Sequence, residues 1–282
     1  MFGPQINISE REFGEIRDLM YEKTGVLLRP SKKPLVITRL RSRLSELGLT
    51  TFTAYLDHLR RTGKPELEII INAITTNETF FFRHENQFNL LFETVLPEIV
   101  KKKENGPREL KIWSAASSTG EEPYSLAMAL LEFFSSRPGW RLKVCASDVN
   151  TEVLEEAQEG RYNAKSVRLV PNSLKSKYFE HVPAPANMPF AQDEYVVCQK
   201  VRSLVEFRQH NILHPAPFRN MDVIFLRNVL IYFDKDSKRK AIDMLTESLP
   251  VGGYLFISLS ETLNDIQSRF KFLKTGAYTR DA

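Results

Sequence analysis

Cysteine is nearly absent. Only Cys145 and Cys198 occur, more than fifty positions apart, which excludes a disulfide scaffold and a cysteine-rich metal site and fits a reducing compartment. Charge of one sign is also scarce. With 39 cations against 35 anions the balance is +4, too slight to make the whole chain a polyanion binder, so no nucleic-acid partner is expected. Long apolar runs are missing as well. Stretches such as Val223 to Leu226 fall far below the ~20 residues of a membrane span, and the opening MFGPQINISERE lacks the basic-then-apolar layout of a signal peptide. Neither GxGxxG nor GxxxxGK[ST] occurs, which removes the common nucleotide-phosphate cradles. A soluble cytoplasmic protein is expected. Its 282 residues, 42% of them hydrophobic, suffice for one large or two smaller packed domains.

What is present changes character along the chain. The first eighty or so residues carry helical patterns only. Ser9 with Glu12 forms a capping box, Ile8 can staple onto Phe13, and Phe13, Ile16 and Met20 extend one apolar stripe. Val36, Leu40, Leu44 and Leu47 make a second stripe, Phe52, Tyr55, Leu56 and Leu59 a third, and Leu67, Ile70, Ile71 and Ile74 a fourth. A further helix is predicted from about Glu85 to Lys103, ending in the linker-like KKKENGPRE.

Beyond it, short apolar runs at Leu110–Ala116, Leu142–Ser147, Val223–Leu226 and Tyr254–Ser258 alternate with helical patterns at Tyr124–Phe134, Glu152–Gln158 and Lys235–Leu249. That order predicts an α/β fold with a parallel sheet covered on both faces. Between Arg161 and Asn211 the alternation lapses, and the pieces Tyr195–Cys198 and Leu204–Phe207 predict a small β insertion. The end, Phe270 to Arg280, reads as an edge hairpin with Gly276 in its turn.

Three segments could carry chemistry. In IWSAASSTGEEPYS, residues 112 to 125, a strand runs through small residues into a helix beginning near Glu121, with Pro123 in its first turn. Small side chains let a ligand approach the backbone at the carboxyl ends of the strands. Glu121 and Glu122 would repel a phosphate there, so a cationic ligand suits the loop better; a tight turn with helix-favouring acids is the plain alternative. Asp148 ends the next strand, where an acid accepts from ribose hydroxyls, although an Asp in that place is also a common helix cap. An adenosine bearing a positive group in place of phosphates describes S-adenosylmethionine.

In TTNETFFFR, residues 75 to 83, Arg83 follows three aromatic residues, so its guanidinium sits near apolar surface and needs an anionic partner. In DVIFLRNVLIYFD, residues 222 to 234, Arg227 and Asn228 arrive at the strand's ligand-facing end and Tyr232 follows one turn later. His210 and His214 are followed by Pro215 and lack further ligands, so no metal is expected.

Taken together, TTNETFFFR, WSAASSTGEEPYSLAM, ASD, NIL at 211 to 213, FLRNVLIYFD and GGYLFISLSE resemble the CheR family of chemotaxis receptor glutamate methyltransferases, in order and over essentially the whole chain. The resemblance implies a Rossmann-type S-adenosylmethionine-dependent methyltransferase domain at residues 81–282. It also implies an all-helical N-terminal domain at 1–80 and a small antiparallel β subdomain inserted at about 165–208. By the same resemblance Asn77, Thr79 and Arg83 contact the cofactor or line its site, as does Ala115, and Glu121, in preference to Glu122, meets its methionyl part. Asp148 holds the ribose, Asn211 and Ile212 border the adenine, and Arg227 and Asn228 complete the pocket. Arg83 and Tyr232 stand beside the transferred methyl. The product cofactor is S-adenosylhomocysteine.

Two departures stand out. Ala116 and Ser117 occupy positions where family members often have Gly and Cys, and Ser258, Leu259, Ser260 and Glu261 replace a Gly-His-Ser-Glu stretch.

The implied partners are the glutamate-rich methylation helices of chemoreceptors. From Lys23 to Arg43 there are seven cations and no acid, and Arg39, Arg41 and Arg43 are expected to guide docking, a solvated helix face being the plain alternative. In some members the β subdomain grips a receptor C-terminal peptide by strand addition, and residues 190 to 210 are the candidate segment here. The rival readings are a methyltransferase of another acceptor and a non-catalytic docking module.

Overall fold

The computed structural model describes residues 7–184 and 192–282. Helix α1 (Glu10–Thr24) starts on the expected capping box: the Ser9 hydroxyl accepts from the Glu12 amide at 3.2 Å, and the Glu12 carboxylate accepts from the Ser9 amide at 2.7 Å. With α2 (Lys33–Glu46), α3 (Phe52–Thr62) and α4 (Lys64–Ile74) it encloses a core of Phe13, Ile16, Met20, Val36, Leu40, Leu44, Phe52, Tyr55, Ile70 and their neighbours. Each fully buried aliphatic side chain contributes roughly 1.5–3 kcal/mol, and the four stripes meet because their spacing puts them on one face of each helix.

The single helix expected to Lys103 is broken into α5 (Glu85–Leu90), a π turn at Leu91–Val95, and α6 (Leu96–Lys102). Pro97 is the physical reason. It has no amide to donate and its ring crowds the carbonyl one turn back, so the backbone widens there.

The central sheet has seven strands: β1 (Glu109–Ala115), β2 (Arg141–Asp148), β6 (Val205–Gln209), β7 (Val223–Leu226), β8 (Tyr254–Ile257), β9 (Phe270–Lys274) and β10 (Ala277–Arg280), in the order β6-β2-β1-β7-β8-β10-β9. The first five are parallel, and the terminal hairpin closes antiparallel on β8. Thr275 and Gly276, both at positive φ, make its two-residue turn, a geometry matched to strand twist. Helices α7 (Glu121–Phe133) and α8 (Thr151–Glu159) follow β1 and β2, and α11 (Lys235–Thr246) follows β7. Apolar cores fill both faces of the sheet.

The inserted three-stranded antiparallel sheet has the order β3 (Arg161–Asn163), β5 (Glu194–Val197), β4 (Phe179–Val182), with short helices α9 (Asn172–Tyr178) and α10 (Gln199–Arg202) beside it. Two details differ from the sequence reading. The small sheet begins at Arg161, and the Leu204–Phe207 run joins the central sheet as its β6 edge, where the Phe207 ring packs 5.7 Å from Tyr124. Furthermore β5 lies between two neighbours, so among the described residues the open edges of that sheet belong to β3 and β4. Residues 190 and 191 of the proposed peptide-gripping segment lie outside the described residues.

The helical domain and the sheet meet at Gly25. Its φ of +75° favours glycine, and a Cβ there would stand 2.5 Å from Leu213. Beyond this glycine the chain lies along the methyltransferase domain: Val26 bridges to Phe233, and the Leu27 amide donates to the Tyr232 carbonyl at 2.9 Å. Among the described residues no helix is long and apolar enough to cross a membrane.

Candidate functional site

A cleft opens above the carboxyl ends of β1, β2 and β7, enclosing about 1210 Å³ of empty space with its mouth included. The loop from β1 to α7 forms its floor. Ala116, Ser118 and Gly120 all take positive φ there, the last at +94°. A Cβ on Gly120 would lie 2.8 Å from the Tyr162 hydroxyl and 2.9 Å from the Ala157 Cβ, so only glycine admits this approach of α8. The Ser117 amide donates to the Ser147 carbonyl at 2.9 Å, and the Ser118 amide donates to Asp148 Oδ2 at 2.9 Å. The other Asp148 oxygen accepts from the Asn150 amide at 3.0 Å. Burial pushes the Asp148 carboxyl up, and the backbone donors oppose that rise.

Ala116 carries the cost of its conformation, φ +65°, where a Cβ loses roughly 1–2 kcal/mol. Ala116→Gly should therefore raise stability by about 0.5–1 kcal/mol after the added freedom of the unfolded chain is subtracted. Urea denaturation checks it, and an unchanged or lower midpoint contradicts the strain.

Glu122 and Arg227 form the cleft's inner wall. Arg227 Nε donates to Glu122 Oε2 at 2.5 Å, both side chains being buried, and Glu122 Oε1 accepts from the Ser114 hydroxyl at 2.7 Å. Arg227 Nη1 also donates to the Arg83 carbonyl at 2.6 Å and to Gln87 Oε1 at 3.0 Å. Gln87, itself fully buried, donates to the carbonyls of Ile257 and Thr275 at 2.7 and 2.9 Å, which ties this wall to the terminal hairpin.

The two glutamates thus stand in the reverse of the expected order. Glu121 does not line the cleft: it accepts from the Thr119 hydroxyl at 2.6 Å, and burial pushes its carboxyl up. Consecutive helical residues point about 100° apart, so only one of the pair can face the ligand. Ala115 likewise is fully buried in β1 and not part of the cleft lining, where Ala116 takes its place.

The other expected residues, Asn77, Thr79, Arg83, Asp148, Asn211, Ile212, Arg227, Asn228 and Tyr232, all line this one cleft. Arg83 lies over the Phe80 ring at 5.5 Å and donates through Nη1 to the Glu78 carbonyl at 2.9 Å. Asn228, at φ +61°, donates from its side chain to the Ser258 hydroxyl at 3.0 Å. Glu261 clasps the same loop, its carboxylate accepting from the amides of Ser258 (2.7 Å), Asn228 (3.2 Å) and Ile231 (3.3 Å). Asn211 donates to the Lys23 carbonyl at 2.6 Å, fixing α1 to the cleft.

Residues that sequence reasoning missed come mainly from the helical domain: Thr24, Val26, Leu27, Leu28, Lys32 and Leu35 roof the cleft. No local pattern in that segment could have found them.

Two of the expected docking cations are committed elsewhere. Arg39 donates to the carbonyls of Ala73, Ile74 and Thr75 and so caps the end of α4. Arg43 makes a forked pair with buried Glu66, at 3.0 and 2.7 Å. Arg41 is exposed.

Among the cleft's lining residues, Arg83 Nε, Ser117 Oγ and His210 Nε2 are buried without a protein partner. Buried polar atoms are normally paired, so three in one cleft fit a polar ligand. Burial and nearby His214 push the His210 imidazole down to about 4, so it meets a ligand neutral. Acids, neutral donors and one guanidinium without a carboxylate partner, that of Arg83, suit a cationic nucleoside with a carboxylate tail. Among the described residues no three His, Cys, Asp or Glu side chains gather into a metal site.

Comparison with known proteins gives two family matches: the all-alpha domain of CheR methyltransferases over residues 11–75, and their SAM binding domain over residues 77–279. The chain is 38% identical to chemotaxis protein methyltransferase 2 of Vibrio cholerae, over 97% of its own length and 94% of that protein's. It is 37% identical to the chemotaxis protein methyltransferase of Escherichia coli (94% and 89%), and 34% identical to that of Borreliella burgdorferi (93% and 92%).

Proposed function

We propose, since the chain belongs to the CheR methyltransferase family, that it esterifies glutamate side chains of chemoreceptors in the cytoplasm with the methyl group of S-adenosylmethionine. The cofactor, when bound, supplies a sulfonium methyl as the electrophile. Asp148 holds the ribose hydroxyls, Ile212 and Asn211 border the adenine, and Asn77, Thr79 and Asn228 close around the rest. Glu122, rather than Glu121, faces the methionyl part together with Arg227.

The carrying observation is Arg83: a guanidinium stacked on Phe80, with one buried nitrogen left without a partner, at a cleft walled by acids. A free glutamate ionises near ~4.3, so the acceptor is already an anion at neutral pH and requires no strong base. What the protein supplies is alignment and dryness. Arg83 would orient the acceptor carboxylate toward the methyl, Tyr232 would offer a hydroxyl beside it, and the roof residues would exclude water. The carboxylate oxygen gains the carbon as the carbon–sulfur bond breaks, and its electron pair stays on sulfur.

The acceptor is tested by incubating the protein with methyl-labelled cofactor and receptor cytoplasmic fragments. A glutamyl ester releases volatile labelled methanol in base, and most of the protein-bound label should do so. Label that survives base would identify an amine or nucleobase acceptor instead.

The methylation helices would approach over the cationic side of the helical domain, where Arg41 remains exposed. The open edges of β3 and β4 offer places for strand addition by a receptor's C-terminal peptide.

A further inference from the structure

Eight large apolar side chains are left exposed among the described residues, and three of them surround the loop that carries Asn228 and Tyr232. Leu27, Ile231 and Leu259 are 39%, 47% and 46% exposed. One hydrogen-bond system places all three. The Leu27 amide donates to the Tyr232 carbonyl, and the amides of Ile231 and of Ser258, next to Leu259, share the Glu261 carboxylate. The three segments tied together in this way each leave one large apolar side chain in solvent, where it gains nothing for the folded chain alone.

The mouth has a second, opposite character nearby. Arg29 and Lys32 are exposed and pair with no carboxylate among the described residues; Arg29 lies two positions from Leu27, and Lys32 lines the cleft. A surface continuous with the cleft, apolar around Tyr232 and cationic toward the helical domain, matches an amphipathic helix with one acidic and one apolar flank.

We propose that Leu27, Ile231 and Leu259 form a ledge that seats the apolar flank of the substrate helix while its acceptor glutamate enters the cleft. The inference rests on the glutamate-methylation reading above and adds to it a requirement on the substrate. Residues three or four positions from the acceptor share its helix face, 5–6 Å away, and these meet the ledge.

The test measures methanol release from a soluble chemoreceptor cytoplasmic fragment under steady-state conditions. In one arm the enzyme carries Ile231→Ser with Leu259→Ser. In the other, wild-type enzyme acts on a fragment whose apolar residues three and four positions from the acceptor are serine. Either change should raise the KM for the fragment ten-fold or more, leave kcat within three-fold, and leave cofactor affinity unaltered by calorimetry. Combining them should add less than two-fold, because both remove the same contact. An unchanged KM for the serine-flanked fragment overturns the ledge however the enzyme variant folds, and fully multiplicative effects overturn it too. Failure of wild-type enzyme to form any base-labile ester is a different result: it removes the glutamate reading, and the ledge with it.

Discussion

Glu122→Ala should destabilise the protein by about 3–5 kcal/mol. The reason is what stays behind. Arg227 remains buried with its Nε facing a cavity, and the carbonyl and amide oxygens on its Nη1 carry no full negative charge. The Ser114 hydroxyl loses its acceptor in the same step. Domains are stable by only ~5–15 kcal/mol, so the loss should be plain in urea denaturation and in the yield of folded protein.

Removing both charges separates pairing from packing. The double variant Glu122→Leu with Arg227→Leu leaves no uncompensated ion and should be less destabilised than either single alanine change, yet bind the cofactor poorly. A loss below ~1 kcal/mol for Glu122→Ala would mean that Arg227 finds solvent, and the wall described above would be wrong.

The same pair shows what a linear sequence discloses. Its strand–helix alternation disclosed the sheet, and the small residues from Ser114 to Gly120 disclosed the loop, because both depend on local spacing. The choice between Glu121 and Glu122 did not follow, since the phase of α7 is set by three successive left-handed or glycine turns whose geometry depends on α8 packing against Gly120. Arg39 and Arg43 looked like free cations because their partners, the end of α4 and Glu66, lie more than twenty residues away and meet them only in the folded bundle. For the same reason the roof from Thr24 to Leu35 was invisible. Nothing in that segment's own pattern records that Val26 and Leu27 lie against Tyr232 and Phe233.

Arg83→Ala should lower turnover at saturating cofactor by ten-fold or more, at least ~1.4 kcal/mol of lost transition-state stabilisation. Structure favours a clean interpretation of this variant. Arg83 holds Arg227 through its backbone carbonyl, which alanine keeps, while its side chain makes one protein hydrogen bond, to the Glu78 carbonyl. The fold should therefore survive, and a change in rate reports on the guanidinium itself. Only contacts that strengthen in the transition state raise kcat, so in the proposed role the guanidinium has to align the acceptor without immobilising the attacking oxygen. A planar fork resting on Phe80 meets that condition better than a compact, strongly hydrated ammonium. Arg83→Lys should accordingly recover little of the lost rate although it restores the charge. Normal turnover in the alanine variant would remove Arg83 from the chemistry, and full recovery by lysine would show that charge alone, without the fork's orientation, suffices.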